Sequence, residues 1–291
     1  MLKRLTLILL ITFAAQNTFA QDKTKRTPEA GKAYNEGNTL IKQKNYSAAI
    51  DKYLKAIKAD NNFPEAHYML AFAYQKTGKY NKSLAEYKNA IRKNDKFEKA
   101  YIALAKLQAS MDKNSDAINS NNAVLAFNPN SADANYGLGK IYYTQKDLKK
   151  SEKYLKAAIA AKPNYYRAYN ILGLVYNGEK KYKQATAAFA NAVKYAKKKL
   201  LRAKYSYRLG VAYVKTKELA KAESVLLQAI KLTRNNTIRS GCNFYLGEVY
   251  KMKKSKNRAI KYFKLAEKSK EWQKSAAYEI ELLKHPDKYS R

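Results

Sequence analysis

Residues 166–199 read YRAYNILGLVYNGEKKYKQATAAFANAVKYAKKK. Leu172-Gly173 and Tyr176 fall on one helical face. Ala185, Phe189 and Ala192 fall on another, with the polar Glu179 at the turn between them. Spacings of three and four residues are those of α-helices, so the stretch reads as two amphipathic helices of about a dozen residues each. The pattern does not stop there. A small residue like Gly173 recurs at Gly37, Ala71, Ala105, Gly139, Gly210 and Gly247, with successive offsets of 34, 34, 34, 34, 37 and 37 along the whole series. A second small series keeps the same register at Ala49, Ser83, Ala117, Ser151, Ala185, Ala222 and Ala259. A third lies at Ala56, Ala90, Val124, Ala158, Ala192, Ala229 and Ala266. Three series in one register make the chain a repeat array.

Large residues keep station between the small ones. Leu40, Tyr74, Gln108, Tyr142, Tyr176, Tyr213 and Tyr250 follow the first series by three residues. Tyr53, Tyr87, Asn121, Leu155, Phe189, Leu226 and Phe263 follow the second by four. Small residues facing one another let two helices approach closely, and the large ones fill the space between successive pairs. Gln108, Asn114 and Asn121 depart from this in the third copy, where looser packing is expected. The additions at Leu200 to Arg202 and Thr237 to Arg239 lengthen either a helix or a loop; the sequence leaves both open. Thr27-Pro28 suits a helix start, with Thr as cap and Pro in the first turn.

Composition agrees with helices. The 291 residues are 46% hydrophobic and 28% charged, a foldable mixture. Gly at 10 and Pro at 5 are scarce, which argues against a β-sandwich or a Gly-rich nucleotide fold. A single Cys excludes an internal disulfide framework and a Cys-based zinc site. At the N-terminus, Lys3 and Arg4 precede the apolar run Leu5 to Ala15 and the small-residue ending Thr18-Phe19-Ala20. That is the layout of a cleavable signal peptide over residues 1–20, too short in its apolar part to span a bilayer. Removing Lys3 and Arg4 would lower the net charge from +35 to +33. The product is then periplasmic or secreted.

Leu172-Gly173, Tyr176, Ala185, Phe189 and Ala192, with Pro129 and Pro163 closing the third and fourth copies, resemble the tetratricopeptide repeat (TPR) family. The resemblance implies an all-α fold, a right-handed α-solenoid of about seven TPR helix pairs plus a C-terminal capping helix. A short segment at 21–29 precedes repeats at 30–63, 64–97, 98–131, 132–165, 166–199, 203–236 and 240–271. A capping helix and tail follow at 272–291.

The family's first helices line a concave groove that binds peptides or proteins. By resemblance, the partner-binding residues are Tyr34, Asn38, Tyr68, Phe72, Lys106, Tyr136, Lys140, Tyr143, Arg167, Asn170, Asn177, Lys204 and Tyr207. Aromatics bury apolar side chains, amides bond peptide groups, and cations meet carboxylates. Tyr136, Tyr143 and Tyr207 are expected to line this groove and stand clear of the core between repeats. Lys204 and Arg208 also match the last two members of a carboxylate-holding set in some TPR domains. Tyr136, Lys140 and Ile171 stand where that set wants Lys, Asn and Asn, so the set is incomplete here.

Chemistry beyond binding finds little support. His67 and His285 are far apart in the array, and Cys242 sits where a buried structural thiol is expected. There is no phosphate loop, carboxylate pair or nucleophile turn, so neither an enzyme nor a cofactor is expected. The reading is an exported scaffold holding a protein or peptide ligand of acidic character. The second reading is a basic binder of anionic polymers or membrane surfaces, nucleic acid being the least expected of these. Its densest cluster is Lys194 to Lys204, KYAKKKLLRAK.

Overall fold

The computed structural model describes residues 26–286, which fall into two compact units, 26–112 and 113–286. The segment read as an export signal lies outside the described residues. Among those described there are fifteen α-helices and no strand. The first unit holds α1 (Pro28–Lys42), α2 (Tyr46–Ala59), α3 (Pro64–Lys76), α4 (Tyr80–Lys93) and α5 (Glu98–Ser110). The second holds α6 (Asn114–Phe127), α7 (Ala132–Thr144), α8 (Leu148–Ala161), α9 (Tyr166–Gly178) and α10 (Tyr182–Tyr195). It continues with α11 (Lys199–Lys215), α12 (Leu219–Leu232), α13 (Asn236–Met252), α14 (Lys256–Glu267) and α15 (Gln273–Lys284). Odd-numbered helices up to α13 are the first of each pair, and within each unit pairs stack on their neighbours as in an α-solenoid.

The three small series are the reason the pairs close. A Cβ placed on Gly173 would lie 2.6 Å from the Phe189 ring, and one on Gly37 would lie 2.6 Å from that of Tyr53. The corresponding approach is 2.7 Å from Gly139 to Leu155, 2.5 Å from Gly210 to Leu226 and 2.5 Å from Gly247 to Phe263. Each glycine is thus a socket for the large residue of its own second helix. Residues of the second and third series are completely buried. Where serine replaces alanine it pays its desolvation by bonding across the pair: Ser83 Oγ donates to the Ala71 carbonyl and Ser151 Oγ to that of Gly139, both at 2.7 Å. Each buried Leu or Phe in these sockets contributes about 1.5–3 kcal/mol.

Every first helix ends in the same way. Lys44, Gly78, Asp112, Lys146, Lys180, Lys217 and Lys254 all have positive φ, between 58° and 75°. In the first pair, Lys44 N–H donates to the Ile41 carbonyl and Asn45 N–H to that of Leu40, the paired bonds of a Schellman cap. The same long bond runs from Lys181 to Tyr176 and from Ser255 to Tyr250, each at 2.8 Å. Only one of the seven positions is the glycine that this conformation favours.

The two additions lengthen helices. Gly139 and Gly173 stand seven residues into α7 and α9, whereas Gly210 and Gly247 stand eleven into α11 and α13, one further turn. At the other end of the array, Thr27 caps α1, its Oγ1 accepting from Ala30 N–H at 3.2 Å, with Pro28 in the first turn. In the third copy Asn121 occupies the large-residue position fully enough to be 2% exposed. Its amide donates to the Ala117 carbonyl at 2.7 Å, and Gly137 of α7 leaves it room. A polar side chain is therefore buried there with a partner. The capping helix α15 covers the last pair with Ala276 and Ile280 against Phe263 and Ala266, and Trp272 stacks on Phe244 with centroids 4.5 Å apart.

Candidate protein-binding face

In the first unit, α1 and α3 lie side by side and carry four of the expected site residues. Tyr34 is half-buried between Tyr53 and Phe63, with ring centroids at 5.8 and 4.8 Å. Tyr68 repeats the arrangement between Tyr87 and Phe97 at 5.7 and 5.4 Å, and its burial raises its phenol pKa. The Tyr53 hydroxyl passes between the helices to donate to Asn38 Oδ1 at 2.8 Å, and the Tyr87 hydroxyl likewise reaches Gln75 Oε1 at 3.3 Å. Asn38 keeps its NH2 group for other acceptors. Phe72 is half-buried beneath the Lys76 ammonium, 5.2 Å from the ring centroid, and Lys106 is exposed on α5.

The second unit carries the remaining residues. Tyr136 on α7 packs on Tyr165, with centroids at 5.0 Å, and burial raises its phenol pKa. Tyr207 on α11 packs edge-on against Tyr245 at 6.0 Å and lies over Gly241. Tyr143 is half-buried against the core of the fourth and fifth copies. Tyr136, Tyr143 and Tyr207, expected to stand clear of the core, are instead partly buried against it. The reason is size, since a ring of 150–250 Å² has no other place beside a helix pair so closely approached. Lys140, Arg167, Asn177 and Lys204 are exposed. Arg167 lies with its guanidinium 5.8 Å from the Tyr166 ring centroid.

One constellation brings separate copies together. Asn170 on α9 is only 7% exposed, and its Oδ1 accepts from the Arg208 guanidinium of α11. Tyr143 of α7, with Tyr205 and Tyr207, is close enough to act on the Arg208 charge, while burial holds that guanidinium below its usual pKa. It remains charged at any physiological pH. Among the described residues Arg208 makes no ion pair, and its one side-chain hydrogen bond is to a neutral amide. Sequence reasoning matched Arg208 to a family position but gave it no place in the groove set. Its contact with Asn170, in the neighbouring copy, is what gives it one.

Elsewhere the polar groups serve the fold. His67 is buried with Nδ1 2.6 Å from Glu86 Oε2, within one helix pair. Cys242 is completely buried, and burial pushes its thiol up to about 12. Among the described residues no three His, Cys, Asp or Glu side chains gather as metal ligands, and no helix is long and apolar enough to cross a membrane.

Comparison with known proteins bears on the fold and the family. A profile described as TPR repeat matches residues 37–78, and profiles described as tetratricopeptide repeat match 64–97, 102–166 and 172–237. The chain belongs to the tetratricopeptide repeat proteins. No curated protein sequence matches it. Among solved structures it is similar to the C-terminal part of a TPR repeat-containing protein from Cytophaga hutchinsonii. That match has 17% identity and a TM-score of 0.66, and it covers 85% of this chain and 99% of the other. It is also similar to pilF from Pseudomonas aeruginosa, at 19% identity and TM-score 0.62 over 75% and 98%. MamA matches at 28% identity and TM-score 0.50 over 55% and 93%. The first two likenesses are of fold alone. Membership of the family makes protein–protein interaction the general role.

Proposed function

We propose that the protein is a non-enzymatic, exported scaffold whose first helices hold an extended segment of a partner protein, with an acidic group of that segment seated at Arg208. The observation that carries this reading is a half-buried guanidinium with a single neutral acceptor. Burying a charge without a counter-charge is costly, and a carboxylate arriving at the remaining N–H donors would complete a charge-assisted, forked pair. Tyr143 and Tyr207 flank the position, offering half-exposed ring surface to an apolar side chain next to the acidic one. Lys140, Arg167 and Lys204 add exposed positive charge in the same unit, which favours the encounter more than the final affinity. Export rests on the sequence pattern of residues 1–20.

Selection of a displayed library of linear peptides tests the site. The wild-type chain is expected to enrich peptides with acidic residues or an acidic terminus, and Arg208→Gln to lose that enrichment. The same acidic peptides emerging with Arg208→Gln would contradict the assignment.

A further inference from the structure

The added turn at the start of α11 is built against the interests of the helix. Lys198 is its N-cap and makes no side-chain capping bond; Lys199 follows, and no acidic residue stands in the first turn. Cations at a helix N-terminus oppose the macrodipole, and a capping Ser, Thr, Asp or Asn is missing. The matching extra turn of α13 shows the ordinary solution: Asn235 caps it, accepting from Ile238 N–H at 3.1 Å. Leu201 anchors the α11 turn against Ala192, Ala196 and Tyr205. Its neighbour Leu200 points outward and is 53% exposed.

Lys194, Lys197, Lys198, Lys199, Arg202 and Lys204 lie within six residues of Leu200 in the sequence, and none of these cations is in an ion pair among the described residues. No Asp or Glu occurs in the chain between Glu179 and Glu218. An exposed leucine in the first turn of a helix, with exposed lysines before and after it in the sequence, has the composition of an interfacial anchor. The leucine enters the acyl boundary, while lysine stems lie along it with their ammonium groups among the headgroups. A soluble polyanion would meet the lysines but has no use for the leucine.

We infer that residues 194–204 form a docking surface for an anionic phospholipid bilayer. Apart from Lys204, this inference shares no residue with the Arg208 reading. Near an anionic bilayer each cation is worth about fivefold in affinity, so three lysines account for roughly a hundredfold. Burying the exposed part of Leu200 adds about tenfold.

The test is cosedimentation of the mature chain, residues 21–291, with phosphatidylcholine vesicles, with and without phosphatidylglycerol, beside binding to soluble heparin. The wild-type chain is expected to bind only the anionic vesicles among the two. Lys197→Gln/Lys198→Gln/Lys199→Gln should lose roughly a hundredfold, with a melting temperature unchanged or raised because the helix start is relieved. Leu200→Ser should lose about tenfold on vesicles and nothing on heparin. Arg208→Gln should bind vesicles normally, so a failed peptide test and a failed vesicle test remain distinct. Absence of binding to anionic vesicles, wild-type vesicle binding by Leu200→Ser, or a melting temperature lowered by the glutamines would each overturn the inference.

Discussion

Gly173→Ala, the smallest change possible in the repeat, should destabilise the fifth pair although it improves the helix. Alanine in place of a helical glycine gains about 1 kcal/mol from propensity. The new Cβ would sit 2.6 Å from both Cδ1 and Cε1 of Phe189 and 2.9 Å from Cζ. Phe189 is 2% exposed, enclosed by its cluster, and has no direction in which to retreat. Overpacking of this kind costs about 1–3 kcal/mol. The net effect is a loss of up to about 2 kcal/mol. Removing the ring reverses the sign: Phe189→Ala alone costs about 3–5 kcal/mol, but adding Gly173→Ala to it should recover about 1 kcal/mol. Urea unfolding of the four proteins, followed by far-ultraviolet circular dichroism, measures the coupling through its midpoints. If Gly173→Ala stabilises the wild-type background, or costs the same in both, the socket account of the repeat is wrong.

Other consequences are more local. Lys146→Gly should stabilise by about 0.5–1 kcal/mol in the same assay, because φ is 63° at an exposed turn where a β-carbon is strained; a loss would mean the turn takes another conformation. Cys242 should resist thiol reagents at pH 8 in the folded chain and react once urea unfolds it, since burial pushes its pKa up to about 12. Immediate labelling of the native protein would refute this. Burial raises the pKa of Glu248, with Glu279 adding to the shift and Lys251 and Lys215 opposing it. A carboxyl raised in the folded state costs stability above its folded pKa, and the cost disappears as pH falls below the unfolded value. Glu248→Gln should therefore stabilise at pH 7 by under about 1 kcal/mol and make no difference near pH 4; a pH-independent effect would contradict the sign.

The fold was legible because its decisive residues repeat. Gly173, Ala185 and Phe189 are individually ambiguous, but seven copies in register leave no other arrangement for sockets and the side chains that fill them. The turn residues were not legible in the same way. Lys44, Lys146, Lys180, Lys217 and Lys254 hold a conformation that favours glycine, so the usual punctuation is absent from the sequence although the caps are present. Leu200 to Arg202 was ambiguous for a related reason: with Lys198 as the cap, nothing marks a helix start there. At the candidate face, the family resemblance pointed to Tyr34, Tyr68, Tyr136 and Tyr207 but not to how deeply their rings lodge. That depends on Phe63, Phe97, Tyr165 and Tyr245, which lie outside the three small series. For Arg208 the family resemblance offered only a match to an incomplete set; its contact with Asn170, thirty-eight residues away, is visible only in the fold.

The scaffold reading is tested most directly by photo-crosslinking in the native cell. A photoreactive amino acid would be placed on the first-helix face at Lys140 or Asn177, and on second helices at the exposed Leu54 or Leu265. The account predicts one discrete protein adduct from Lys140 and Asn177, lost when Arg208→Gln is added, and none from Leu54 or Leu265. An adduct that forms from the second-helix positions alone, or survives Arg208→Gln undiminished, would contradict it.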